Sequence, residues 1–250
     1  GRLNAIRTIG SFLGTVVISY VLIPLLPNSV TMFATAGLLM ALAVAYLLVW
    51  GRKGRLIAGA AVVVAAGLAA GGWGVRAEGL RHPAFDELFR GNSNFGLLQV
   101  LQAKGAPERY YLNDYLPQNT YDVVQGKRTS MFTYMLEGLA RAYTPRLDKV
   151  LCIGMGVGIV PRDLARAGVR VDAVEINPAV VPLAEKYFDL DTGAFALSIG
   201  DGRCFVDRSR RLYDAVILDA FLGDSTPAHL MSREAFAAIR RVLKPEGVLV

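Results

Sequence analysis

Lys149-Val150-Leu151-Cys152-Ile153-Gly154-Met155-Gly156-Val157-Gly158 decides the fold. Five residues, four of them apolar, read as a short buried strand, and three glycines in five positions follow at once. A run from Ile159 to Ala167 then reads as a helix, stopped by Gly168. Glycine suits such a strand-to-helix turn because it adopts positive φ and lets a ligand approach the backbone.

Working outward, Val169–Ile176 reads as a second strand and Pro178–Phe188 as a helix with proline near its first turn. Phe195–Ile199 and Leu212–Leu218 read as strands. Ser232–Leu243 reads as a helix with Ser232 as N-cap, and Gly247–Val250 opens a fifth strand, so the sheet is expected to continue past Val250. Strands alternating with helices predict an α/β fold with a doubly wound parallel sheet. Upstream, Gly96–Ala103, Arg109–Leu112 and polar Gln118–Arg128 predict a small antiparallel β-unit of two to four strands, and Met131–Tyr143 an apolar-faced helix.

The first 75 residues differ in kind. The whole chain of 250 residues is 53% hydrophobic and 19% charged, with a mean hydropathy of +0.38. A soluble chain carries roughly 25% charged residues, and the excess of apolar residues lies at the N-terminus. Up to Gly74 there is no acidic residue and only Arg2, Arg7, Arg52, Lys53 and Arg55 are cationic. Three apolar stretches, about Ile9 to Leu26, Thr31 to Trp50 and Leu56 to Trp73, predict three transmembrane helices in an integral membrane protein whose partner is the lipid bilayer. Gly10 and Gly14 are spaced for close helix–helix approach, a basis for a homo-oligomer. Counting positive charges would put the remainder of the chain outside the cell, whereas the ligand argued below is cytoplasmic; the soluble domain is expected in the cytoplasm. The resulting domain organisation is transmembrane helices over 1–75, a linker over 76–93, the β-unit over 94–130 and a Rossmann-like domain over 131–250.

The net charge of +6 invites a nucleic-acid reading, but no cluster of basic and aromatic residues follows Arg76, so no nucleic acid is expected as partner. Cys152 and Cys204 are too few for a disulfide framework or a zinc cluster, no metal is expected, and both read as packed thiols.

Three features stand in register at strand ends. Gly154, Gly156 and Gly158 form the first turn; Glu175 ends the second strand, 21 residues after Gly154, where a carboxylate accepts from a ribose diol; Asp201-Gly202 follows the third, where an adenine edge is read. Ile159 occupies the place of the last glycine in the dinucleotide fingerprint, which disfavours an NAD enzyme, and no Lys-Ser/Thr follows the loop, which excludes a P-loop.

From Asn94 to Val250 the chain resembles the spermidine synthase family, especially its membrane-fused bacterial branch. The glycine loop over Gly154–Ile159, the ribose carboxylate at Glu175 and the Asp-Gly pair at Asp201-Gly202 carry the resemblance. So does Tyr213–Asp219, where Tyr-Asp-x-Ile-x-x leads to the family's catalytic aspartate. Gln118 resembles the family's glutamine after a β-hairpin strand. The resemblance implies a small β-domain followed by a methyltransferase-like domain. It also implies S-adenosylmethionine or its decarboxylated form as bound substrate, Gln118 among the residues that hold it, and aminopropyl transfer to a small-molecule amine with Asp219 as base. The sequence departs from the family at Val157, where synthases carry Asp in the loop, and at Leu222, the second Asp of Asp-x-x-Asp; Asp224 and His229 stand nearby as substrate-binding replacements. Methyl transfer, or nucleotide binding without turnover coupled to a membrane bundle, are the other readings.

Overall fold

The computed structural model describes residues 1–50, 54–77, 83–221 and 225–250. They fall into two units, Gly1–Pro83 and Ala84–Val250.

The first unit is helical: α1 (Arg2–Leu25), α2 (Asn28–Trp50) and α3 (Gly54–Ala77). Pro24 has no N–H for the carbonyl of Tyr20, and just before it α1 widens into a π-turn over Ile18–Leu22, with the Ile23 amide donating to Ile18 O. α2 and α3 pack through glycines. A Cβ at Gly67 would lie 2.9 Å from Met40 Cε, and one at Gly71 would lie 3.1 Å from Phe33 Cδ1. Arg2–Leu25 and Ser29–Trp50 are long and apolar enough to cross a membrane; the apolar stretch of α3, Gly59–Gly74, is shorter.

The second unit opens with a five-stranded antiparallel meander, β1 (Phe85–Ser93), β2 (Gly96–Ala103), β3 (Glu108–Asn113), β4 (Leu116–Asp122) and β5 (Lys127–Arg128). β1 corrects the expectation of a linker over 76–93: it pairs with β2 from Phe85↔Ala103 to Ser93↔Gly96. Its charged residues hid it, because Glu87 and Arg90 pair with each other at 2.7 Å while Phe89 packs against the core. The β3–β4 link is a two-residue turn with positive φ at both Asp114 and Tyr115.

After α4 (Met131–Tyr143) comes the parallel sheet, in the order β10 (Leu243–Leu249), β9 (Tyr213–Leu218), β6 (Lys149–Ile153), β7 (Arg170–Glu175), β8 (Ala196–Ile199). Four helices connect its strands: α5 (Ile159–Arg166), α6 (Val180–Tyr187), α7 (Gly202–Arg208) and α8 (Arg233–Val242). This is the methyltransferase-like α/β architecture expected. The central strands are buried on both faces: Val150, Cys152, Ala215 and Ile217 enter one apolar cluster, Leu151, Ile153 and Val216 the other. Ser232 caps α8, its Oγ accepting from the Ala235 amide at 3.2 Å. β10 starts at Leu243, directly after α8, earlier than the Gly247 expected. α7 was not expected at all; its seven residues carry too little apolar periodicity to stand out.

Arg162 of α5 joins the meander to the sheet. It is 2% exposed, donates to Tyr121 Oη at 3.2 Å and Phe188 O at 3.1 Å, and pairs with Asp163. A buried guanidinium is tolerated only when its donors are matched. Arg162→Leu, which leaves the Phe188 carbonyl and Tyr121 hydroxyl without their donor, should cost about 2–4 kcal/mol in urea denaturation of the detergent-solubilised chain.

Candidate nucleoside-binding site

In this strand order β6 and β9 are neighbours whose connections leave in opposite directions, and a crevice opens at their carboxyl ends. The cleft there encloses about 850 Å³, solvent at its mouth included. It gathers Gly154, Gly156, Glu175, Asp201, Gly202, Asp219, His229 and Gln118. Gly158 does not line it but caps α5 at φ +78°. Asp224 and Leu222 lie outside the described residues.

The glycines answer first to the protein itself. Gly154 has φ +89°, and a Cβ there would collide with the carbonyl oxygen of Asp219. Gly156 has φ +53°, and its Cβ would sit 2.5 Å from Asn119 Oδ1. The loop is thus pressed between the end of β9 and strand β4, and its bare backbone forms part of the cleft wall. Val157, where the family carries Asp, is buried and does not face the cleft.

The loop amides are held internally. Gly154 N donates to Val174 O at 2.9 Å and Gly158 N to Met155 O at 2.9 Å. Met155 N donates to Glu175 Oε2 at 3.0 Å and Val157 N to Asn119 Oδ1 at 3.2 Å, while the Gly156 amide faces the Glu175 carboxylate. A phosphate-binding loop needs free amides aimed at the ligand; this one has them all engaged.

Three carboxylates line the cleft in three different states. Glu175 is buried, which pushes its pKa up, against the pull of the backbone amides that surround it; its Oε1 accepts from Asn177 N at 2.8 Å. Asp201 is partly desolvated, yet the Cys204 amide at 2.8 Å and His229 Nε2 at 2.9 Å hold it below the ordinary carboxylate range. The residue expected to read adenine is therefore also the N-cap of α7 and the partner of His229. Asp219 is raised to about 6, chiefly by desolvation and further by the charge of Glu175. Among the described residues, no hydrogen-bond donor reaches its carboxylate. No lysine or arginine lines the cleft among the described residues.

The β-unit contributes more than its polar Gln118. Phe95, Tyr111, Asn113 and Asn119 form that wall, and the Asn177 side chain donates to Ser93 Oγ at 3.0 Å. The available signal was asparagine at strand positions, Asn113 and Asn119, where buried polar groups require a reason. Of the two thiols, Cys152 is buried, and its burial pushes its pKa up. Cys204 is exposed, a correction to the packed thiol expected, because it sits on the outer side of α7.

Gly154→Ala and Gly168→Ala place alanine at similar backbone angles, φ +89° and +82°, but only the first meets protein. Gly168→Ala should cost about 1–2 kcal/mol, and Gly154→Ala at least about 2 kcal/mol more, read by thermal or urea unfolding.

Residues 130–250 match the family model of the spermine/spermidine synthase domain. The polyamine aminopropyltransferase of Vibrio vulnificus is 36% identical over 137 residues, 52% of this chain and 46% of that protein. The N-terminal histidine N-methyltransferase of Emericella nidulans is 34% identical over 145 residues, 53% of this chain and 26% of that one. The chain thus spans under half the length of these curated relatives. Spermidine synthase from Thermotoga maritima superposes with a TM-score of 0.53 at 21% identity, over 65% of this chain and 55% of that one, which supports the fold. Residues 130–250 are thus similar to the spermine/spermidine synthase domain, on a fold shared with solved spermidine synthases.

Proposed function

We propose that the second unit binds an S-adenosyl-type sulfonium nucleoside and transfers the aminopropyl group of its decarboxylated form to an amine. The observation that carries this reading is the donor and charge pattern of the cleft. The loop amides are engaged and the described lining has no lysine or arginine, so the usual phosphate cradle is missing there. Its carboxylates instead suit a cation. The decarboxylated nucleoside carries sulfonium and ammonium charges with no carboxylate of its own, so it meets no like charge there.

Glu175 accepts from the Met155 amide on one oxygen and the Asn177 amide on the other, with the Gly156 and Ile176 amides also turned to it, and its remaining acceptor capacity is assigned to a ribose diol. Asp201-Gly202 lies at the adenine end, and His229 orients the Asp201 carboxylate. Gln118 and the bare backbone of Gly154 and Gly156 complete the pocket. Asp219 is the base: it takes a proton from the acceptor amine as the amine nitrogen bonds to carbon. The carbon–sulfur bond breaks and its electron pair stays on sulfur, leaving a neutral thioether. Because the nucleoside is cytoplasmic, this unit belongs on the cytoplasmic face of a membrane crossed by the N-terminal helices. Methyl transfer is the second reading, favoured by the likeness to the Emericella nidulans N-methyltransferase.

Calorimetry and single-turnover kinetics on the full-length protein separate the roles. Glu175→Ala should weaken nucleoside binding by about 1–3 kcal/mol. Asp219→Asn should keep binding but lower kcat by about 10²–10⁴. An aspartate raised to about 6 is protonated below that pH, so kcat/KM of the unaltered enzyme should fall as pH drops through 6, and the Asn variant should lose that dependence. Unchanged turnover in Asp219→Asn would refute the assignment.

The acceptor carries at most one charge deep in the site. Glu175 and Asp201 are committed, Val157 is apolar and buried, and Asp219 is the uncommitted carboxylate among the described residues. An ammonium left without a partner costs roughly 2–5 kcal/mol. Putrescine should therefore fall below a kcat/KM of roughly 10⁴ M⁻¹s⁻¹ and below a monoamine assayed beside it with the same donor.

A further inference from the structure

Helix α4 turns an apolar face to solvent. Nine of its thirteen residues are exposed, and only Arg141 among those nine is charged. Met131, Met135 and Tyr143 are 74%, 56% and 69% exposed, and Phe132, Tyr134 and Leu139 lie on the same outward arc. The inward face is already filled by Thr133, Leu136 and Ala140. A solvent helix ordinarily reverses this pattern, polar out and apolar in. A contiguous exposed apolar surface of this kind marks an interaction site.

The charges around the face say what it meets. Flanking the face are four cations, Lys127, Arg128, Arg141 and Arg146, of which Arg128 also lies 3.5 Å from Asp163, against the neighbouring acids Glu137 and Asp148. Neither acid is free: Glu137 is clamped between Arg128 at 2.5 Å and Arg141 at 2.9 Å, and Asp148 pairs with Arg146 at 2.7 Å. The face thus has apolar and aromatic side chains at its centre and a net positive rim. That is the composition of a helix lying in the headgroup region of an anionic bilayer. It is also covalently continuous with two helices of membrane-crossing length.

We propose that α4 is an interfacial helix that docks the catalytic unit onto an anionic lipid surface, with Met131, Met135 and Leu139 in the acyl boundary and Arg141 and Arg146 at the headgroups. The proposal rests on the membrane reading of the N-terminal helices and leaves the nature of the transfer reaction open.

The test uses the full chain in vesicles of phosphatidylcholine with phosphatidylglycerol, carrying single cysteines labelled with an environment-sensitive dye. Cys204 is exposed and is replaced by serine; buried Cys152 remains. Met135→Cys reports on α4, Leu42→Cys on α2, and Ala196→Cys, exposed on β8, on a face away from the proposed contact. The expected result is that a lipid-phase quencher removes most of the emission at positions 42 and 135 and little at 196. Quenching at 135 should weaken when phosphatidylglycerol is omitted or when Arg141 and Arg146 are both changed to glutamate. Quenching at 42 without 135 overturns docking and leaves the membrane reading intact. Loss of quenching at both overturns docking together with that reading. Shielding at 135 that rises with protein concentration, with a disulfide between two copies when the unlabelled Met135→Cys protein is oxidised, assigns the face to self-association and so overturns the lipid proposal.

Discussion

A carboxylate buried at a strand end must find hydrogen-bond donors or take up a proton. Glu175 finds its donors in the backbone of the glycine loop and of the turn after β7. That one requirement shapes the site. It draws Met155 and Gly156 toward β7, which leaves Val157 to Asn119 of β4 and brings Gly154 against the carbonyl of Asp219. The glycines follow from this crowding as much as from any ligand. The same carboxylate reaches Asp219 electrostatically and adds to the desolvation that raises it. Loop geometry and the raised state of Asp219 therefore share one anchor, and so would the ribose contact proposed for Glu175.

The parallel sheet was legible because its central strands are apolar and buried on both faces, and the first of them ends at a glycine turn. Lys149–Ile153 and Tyr213–Leu218 came within a residue of their observed bounds, and Met131–Tyr143 matched throughout. What failed to read was structure held by polar groups. β1 looks like linker because Asp86, Glu87 and Arg90 interrupt its pattern, yet its register with β2 is continuous but for one bulge. α7 is held by a side-chain cap, Asp201 to Cys204 N, rather than by an apolar stripe.

The same limit applied within the cleft. Residues at strand ends, Gly154, Glu175 and Asp201, fall in register along the chain and read from their spacing, whereas Asp219 is legible only through the family resemblance. The opposing wall comes from an antiparallel meander, whose contribution depends on how it folds back. Asn119 and Tyr111 had no partner within reach in sequence, since Val157 is 38 residues from Asn119. Periodicity reports local structure, and a wall built by long-range contact escapes it.

The charge logic of the cleft would also couple the base to the donor. Desolvation raises Asp219 because nothing nearby offsets its charge. A sulfonium bound beside it would supply that offset, since an opposite charge within about 4–6 Å favours the ionised form. With the donor bound, the carboxylate would then be ionised over a wider pH range while holding the proton it takes less tightly. That coupling would require only an uncommitted carboxylate, Asp219, beside the proposed cationic ligand.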